Sequence, residues 1–166
     1  MHGALLRLMP GITPIYVHLV RDPRAVAYSW LRVKPGLIQS PPAYVARQWL
    51  KFNLAARLVC RGDRRSMLVR YEDFVASPRP VVESILELVA EPAAELPFVG
   101  EHAVRLSKRH SLEGNANRFD AGVVEIREDD EWQKRFSARD RRLVTALTLP
   151  ALPLFGYPVR PSRASR

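Results

Sequence analysis

Tyr16-Val-His-Leu-Val-Arg-Asp-Pro-Arg-Ala-Val-Ala-Tyr-Ser29 joins a short apolar run to a helical pattern, and it is the most informative part of this sequence. The apolar run has the length of a strand and is bounded by prolines on both sides, so we expect a buried strand. Asp22 is a favourable N-cap, and Pro23 suits the first helical position, where its missing N–H costs nothing. The segment therefore predicts a strand that enters a helix directly, as in an α/β fold.

Arg21 stands at the carboxyl end of the predicted strand, beside the start of the predicted helix. In open α/β sheets ligands bind at this edge, and the unpaired N–H groups of a helix N-terminus favour anions. Ser29 follows Asp22 by about two helical turns, so it returns to nearly the same face. This geometry predicts that Arg21 and Ser29 converge on one phosphate. The alternative is a strand–helix junction at which Arg21 pairs with a neighbouring carboxylate.

The remaining chain alternates helices and strands, which indicates an α/β architecture. We predict a long helix capped by Ser40 and ending near residue 61, a second strand over 66–71, a helix capped by Ser77, and a last helix that starts with a capping box at Ser137. The buried face of the long helix is predicted to contain Val45, Trp49, Phe52, Ala56 and Val59. The inward face of the last helix is predicted to contain Leu143, Ala146 and Leu147.

The chain is strongly basic, with a net charge of +9. Nucleic acid is the general partner for such a charge balance. The basic residues are scattered along the sequence, however, and form no stripe interleaved with aromatic residues. The sequence therefore disfavours a nucleic-acid-binding domain, which stays the third hypothesis on charge alone.

Targeting and metal-binding signals are missing from the sequence. No apolar run approaches the length of a membrane span, and the N-terminus lacks the features of a signal peptide. Cys60 is the single cysteine, which fits a reducing compartment. The histidines and this cysteine do not fall at zinc-binding spacings. We therefore expect a cytoplasmic protein with no metal and no transmembrane segment.

The segment from Arg21 to Ser29 closely resembles the 3′-phosphate-binding segment of sulfotransferases that use 3′-phosphoadenosine 5′-phosphosulfate (PAPS). In that family an arginine at the strand end and a serine eight residues later hold the 3′-phosphate. The resemblance implies that Arg21 and Ser29 bind the cofactor PAPS. It also implies an α/β fold with part of a P-loop-NTPase-like parallel sheet flanked by helices.

Two later segments resemble the same family. The strand that ends in Tyr71-Glu-Asp73, followed by Ser-Pro and a helix, implies that Tyr71 lies at the adenine side of PAPS, although a core role for Tyr71 stays open. His110-Ser-Leu-Glu-Gly-Asn-Ala-Asn-Arg-Phe119 resembles a phosphate-clamping loop of a bacterial subgroup, without the Arg-Lys-Gly order of better-known members. The resemblance implies that the loop binds the nucleotide through Gly114, Asn115, Asn117 and Arg118.

The resemblance extends over residues 4–158 but corresponds to the later two-thirds of a typical sulfotransferase domain. The Gly/Ser/Thr-rich loop that binds the 5′-phosphosulfate does not occur before Tyr16. We therefore expect residues 1–158 to be an incomplete, inactive domain, followed by a basic, disordered tail at 159–166. A misplaced start codon, a degraded gene and a functioning remnant all explain this pattern.

The leading hypothesis is a truncated sulfotransferase. The complete enzyme would transfer a sulfuryl group from PAPS to a hydroxyl or amine of a small-molecule or glycan acceptor. The second hypothesis is a non-catalytic nucleotide-binding remnant or interaction module.

Overall fold

The computed structural model describes residues 5–32, 39–90, 95–106 and 122–159. The strands are β1 (Tyr16–Val20), β2 (Ser66–Arg70), β3 (Ala103–Leu106) and β4 (Gly122–Glu125). The helices are α1 (Pro23–Leu31), α2 (Pro42–Cys60), α3 (Tyr71–Ala76), α4 (Pro78–Val89), α5 (Glu131–Arg135) and α6 (Ala138–Thr148), with short 3₁₀ helices at Leu6–Leu8 and Pro153–Phe155. The chain divides into two units, Met1–Tyr71 with Asp129–Arg166, and Glu72–Glu128.

The first unit contains a parallel pair of strands. β1 pairs with β2 from Tyr16 opposite Ser66 to Val20 opposite Arg70. Parallel neighbours need a crossover connection, which α1 and α2 supply here. The fold class expected from the sequence is confirmed: the chain has an α/β fold in which a small parallel sheet is flanked by helices.

β1 is buried on one face only, which corrects the expectation of a fully buried strand. His18 and Val20 are 9% and 2% exposed, whereas Val17 and Leu19 are 42% and 58% exposed. The His18 ring meets Asn53 of α2 through a 2.9 Å hydrogen bond. The described residues of this unit therefore cover the His18 face of the strand and leave the opposite side of β1 open.

α1 begins as the sequence predicts, with Asp22 as its N-cap and Pro23 at its first position. α2 begins at Pro42 after Pro41, so the predicted Ser40 cap is wrong. A proline has no backbone N–H, and the start of α2 therefore offers fewer donors to a capping side chain. The side of α2 predicted to be buried is confirmed at Val45 and Trp49.

The core of this unit is closed by the C-terminal segment. Phe155 and Tyr157 are 1% and 3% exposed and pack with Val20 and Trp49. The Tyr157 hydroxyl donates a hydrogen bond to the Val20 carbonyl at 3.2 Å. The segment after α6 is thereby fixed to both β1 and α2.

α6 has the predicted start but a different buried face. The Ser137 hydroxyl accepts a hydrogen bond from the Asp140 N–H at 3.0 Å, as the capping-box pattern predicts. Val144 and Thr148 are fully buried, whereas Leu143 is 40% exposed. The inward face is therefore rotated by about one residue from the predicted one. The prediction is wrong at Leu143 and Ala146, which are exposed, and Leu147 is partly buried against the core.

The second unit contains α4 and the antiparallel pair of β3 and β4, with Ala103 opposite Glu125. Phe98 forms an isolated bridge to Val104, and the Arg79 guanidinium lies 4.9 Å from the Phe98 ring centroid. Ser77 occupies the N-cap position of α4 with Pro78 in the first turn, as predicted, but its side chain makes no capping hydrogen bond.

Candidate anion-binding site

Arg21 follows directly after β1, at the carboxyl end of the parallel pair. The indole Nε1 of Trp49 donates a hydrogen bond to the Arg21 carbonyl at 2.9 Å, and Trp49 itself is buried. α2 therefore holds the backbone at the point where β1 turns into α1. This fixes the origin of the Arg21 side chain.

The Arg21 guanidinium contacts an aromatic ring and a carboxylate. Its Cζ lies 4.2 Å from the ring centroid of Tyr71, the residue that directly follows β2. Its Nη2 donates hydrogen bonds to Asp129 Oδ2 at 3.0 Å and to the Asp129 carbonyl at 3.3 Å. The ends of both strands thus contribute to one site. The residue pattern left open that Arg21 pairs with a carboxylate, and the structure contains such a pair with Asp129.

Ser29 lies on the exposed side of α1. Its carbonyl accepts a hydrogen bond from the Arg32 N–H at 3.2 Å, as helix geometry requires. No hydrogen bond joins the Ser29 hydroxyl to Arg21 within the described ranges. The structure therefore brings Arg21 and Tyr71 together and leaves the Ser29 hydroxyl accessible to solvent.

Arg24 has a structural role that the sequence analysis missed. Its side chain is 1% exposed, and it pairs with Asp22 through Nε–Oδ1 at 2.9 Å and Nη2–Oδ2 at 2.6 Å. It also donates to the carbonyls of Pro158 and Val159, at 3.1 and 3.4 Å. Asp22 therefore caps α1 and neutralises Arg24 at once. The Arg-Asp-Pro-Arg sequence could have indicated this ion pair, because Arg24 follows the capping carboxylate of Asp22 by two residues.

Asp129 is the other residue of the site that the sequence analysis missed. It is the second of four consecutive acidic residues, Glu128 to Glu131, and the two that follow it have partners on α5. Asp130 pairs with Lys134 at 2.8 Å, and Glu131 pairs with Arg135 at 2.9 Å. The hydrogen bond and charge of Lys134 hold the pKa of Asp130 below its ordinary value. Asp129 instead reaches Arg21, which no local spacing indicates.

Neither a protein-family profile nor a curated protein sequence matches this chain. A solved structure of a sulfotransferase domain does resemble it. The sulfotransferase domain from the curacin biosynthetic pathway is similar in fold, with a TM-score of 0.51 and 19% sequence identity over 88% of this chain. The match covers 54% of that structure's chain, so the chain described here spans about half of its length.

The predicted clamp loop falls outside the described residues. This applies to all four of its site residues, Gly114, Asn115, Asn117 and Arg118. Their assignment stays a prediction from the resemblance to PAPS sulfotransferases. Residues 160–166 of the predicted basic tail also lie outside the described ranges.

A cavity of about 720 Å³ opens between α1 and α2, next to the candidate site. Trp49, which holds the Arg21 backbone, forms part of its wall. Three rings in the wall, Trp30, Tyr44 and Phe52, are each about half exposed. Phe52 was predicted to be buried, and that prediction is wrong because α2 turns this ring toward the cavity. The described lining also includes amide side chains and carries no charged group.

The described residues show neither a candidate metal-binding cluster nor a candidate membrane-spanning helix. No group of three or more histidine, cysteine or acidic residues among them is arranged to hold a metal ion. None of the described helices has the length and apolarity to cross a membrane.

Proposed function

We propose that this chain is a sulfotransferase-type domain that binds the 3′-phosphoadenosine end of PAPS. The observation that carries the proposal is Arg21, which lies at the carboxyl end of a parallel strand, stacks on Tyr71 and already binds an anionic oxygen. The similarity in fold to a solved sulfotransferase domain supports it. PAPS is the sulfuryl donor in the proposal because the Arg21–Ser29 segment resembles the segment that holds its 3′-phosphate.

Each proposed contact has a physical basis. A guanidinium presents several N–H groups in a fixed plane, which suits the oxygens of a phosphate. Ser29 would donate its hydroxyl to the same phosphate. Tyr71 holds the Arg21 guanidinium by a cation–π contact, and the adenine would lie on the Tyr71 side. The loop with Gly114, Asn115, Asn117 and Arg118 would close over the phosphate.

The proposed reaction is sulfuryl transfer to a hydroxyl or amine. The acceptor atom attacks sulfur in line and loses its proton to the solvent, the bond from sulfur to the bridging phosphate oxygen breaks, and 3′-phosphoadenosine 5′-phosphate leaves. The residues assigned above hold the end of the donor that is remote from sulfur. They supply binding energy and orientation, so their loss should change donor affinity more than the chemical step.

The acceptor in this proposal is a small molecule or glycan that enters the cavity between α1 and α2. Aromatic rings and amide groups line that cavity, and no described lining residue is charged. Such a wall suits an uncharged body with hydrogen-bonding groups.

A nucleotide-binding module without transfer activity is the second candidate. It is favoured by the fact that every assigned contact lies at the 3′-phosphoadenosine end of the donor. A transfer assay with radiolabelled PAPS and a panel of hydroxyl and amine acceptors separates the two. Binding with transfer supports the enzyme, and binding with no transfer supports the module.

Arg21→Ala is the direct test of the binding site. Calorimetry with 3′-phosphoadenosine 5′-phosphate should show affinity about 10- to 100-fold weaker than that of the natural chain, because hydrogen bonds to a charged group are lost. Ser29→Ala should weaken binding less, since one neutral donor is removed.

Arg32→Ala is the matched control. It removes the same charge just after α1, where Arg32 is half exposed and pairs with Glu131. Its affinity for the nucleotide should equal that of the natural chain at physiological salt. Equal affinity of Arg21→Ala and Arg32→Ala would refute the role proposed for Arg21.

A further inference from the structure

We infer that Asp129 competes with the nucleotide for Arg21. Its carboxylate occupies the guanidinium while the site is empty, and an incoming 3′-phosphate must displace it. This inference rests on the proposed function and adds a regulatory residue to the same site.

The contact between the two residues is specific. Asp129 lies 108 positions after Arg21 and binds Nη2 through both its side chain and its carbonyl. The two acids that follow it, Asp130 and Glu131, pair with Lys134 and Arg135 one turn further along α5, and Glu131 also pairs with Arg32. Asp129 is thus the acid of this run whose partner is the candidate phosphate-binding residue.

Asp129 is free to leave without disturbing the core. Its side chain is 44% exposed, and residues 126–130 form neither helix nor strand. The Arg21 side chain, at 21% exposed, is the more enclosed partner. Tyr71 contacts its guanidinium, and Trp49 holds its backbone carbonyl. The arrangement is that of a fixed cation and a displaceable anion.

Phosphate and carboxylate carry like charge, so both cannot bind one guanidinium without repulsion. The apparent affinity of the natural chain is therefore reduced by the fraction of molecules in which Asp129 covers Arg21. A dianionic 3′-phosphate can displace the carboxylate, whereas a nucleotide without that phosphate does not engage Arg21. Asp129 accordingly lowers the affinity for the 3′-phosphorylated nucleotide and leaves the affinity for a nucleotide without that phosphate unchanged.

Asp129→Asn tests the inference, because it keeps the side-chain shape and removes the charge. Calorimetry should show 3′-phosphoadenosine 5′-phosphate binding about tenfold more tightly than to the natural chain, if about nine molecules in ten are covered. The affinity for adenosine 5′-phosphate, which lacks the 3′-phosphate, should not change. Asp130→Asn is the matched control: it removes the same charge one position later, from a pair with Lys134, and should leave both affinities unchanged.

The outcomes separate competition by Asp129 from the proposed phosphate site itself. Tighter binding of the bisphosphate by Asp129→Asn alone supports the inference. Equal or weaker binding by Asp129→Asn, with loss of binding in Arg21→Ala, overturns the inference and leaves the phosphate site standing, since Asp129 would then be neutral or would position Arg21. Equal gains for Asp129→Asn and Asp130→Asn would show general charge attraction and also overturn it. If the natural chain, Asp129→Asn and Arg21→Ala all fail to bind the bisphosphate, the proposed function fails and the inference with it.

Discussion

Arg21 and Arg24 are three residues apart and have opposite environments. Arg21 lies at the rim of the sheet, where its partner is a half-exposed carboxylate. Arg24 is almost fully buried, with Asp22 and two backbone carbonyls around its guanidinium. A buried guanidinium whose three nitrogens all donate to protein oxygens has little capacity for a ligand. Burial and partners therefore assign ligand binding to Arg21 and stability to Arg24.

Arg24→Ala should destabilise the protein strongly. Removing one partner of a buried ion pair costs about 3–5 kcal/mol, and Arg24→Ala takes away the cation that Asp22 binds through both carboxylate oxygens. Urea unfolding followed by circular dichroism measures the change. Arg32→Ala, which removes an exposed partner of Glu131, should cost less than about 1 kcal/mol. A loss below about 1 kcal/mol for Arg24→Ala would show that the pair with Asp22 does not stabilise the fold.

Local patterns predicted the elements of the first unit well. The Asp22–Pro23 start of α1 and the Ser137 capping box involve residues only a few positions apart, so the sequence contains the whole interaction. Burial was predicted less well. The exposure of one side of β1 and of the Phe52 ring depends on which neighbouring elements cover them, and the local sequence does not contain that information. A periodic pattern indicates which residues share a face and does not indicate how far the covering layer extends.

Trp49 connects α2 to the candidate site, and Trp49→Phe tests that connection. Phenylalanine retains an aromatic ring beside Phe155 but cannot donate to the Arg21 carbonyl. We expect a loss of about 1 kcal/mol in the free energy of unfolding, together with a several-fold weaker affinity for 3′-phosphoadenosine 5′-phosphate.

Phe52→Leu is the control on the same helix. Its ring is 58% exposed, so its replacement should leave both the stability and the nucleotide affinity unchanged. Unchanged nucleotide affinity in Trp49→Phe would show that the hydrogen bond to the Arg21 carbonyl does not position the site.

Contacts between distant parts of the chain complete the first unit. Tyr157 meets Val20 across 137 positions, and Asp129 meets Arg21 across 108. Arg21 and Tyr71 were predicted as site residues from the segments that resemble a known family. Asp129 was not predicted, because the fold and not the sequence spacing brings it to Arg21. The role of Arg24 was not predicted either, although Asp22 is only two residues away, because its other partners are the distant carbonyls of Pro158 and Val159.

Shortening the chain from its C-terminus tests how far the last segment is needed. A chain that ends at Val159 keeps the buried residues Leu152, Phe155 and Tyr157 and the carbonyls that Arg24 binds. We expect its thermal midpoint to equal that of the full chain.

A chain that ends at Pro150 loses all of these contacts and exposes the apolar surface of Val20 and Trp49 to water. Losing the burial of even one large side chain costs several kcal/mol, so this chain should show no cooperative thermal transition. Calorimetric scans of the three chains measure the outcome, and a cooperative transition of the shortest chain near the full-length midpoint would show that β1 and α2 are stable without the C-terminal segment.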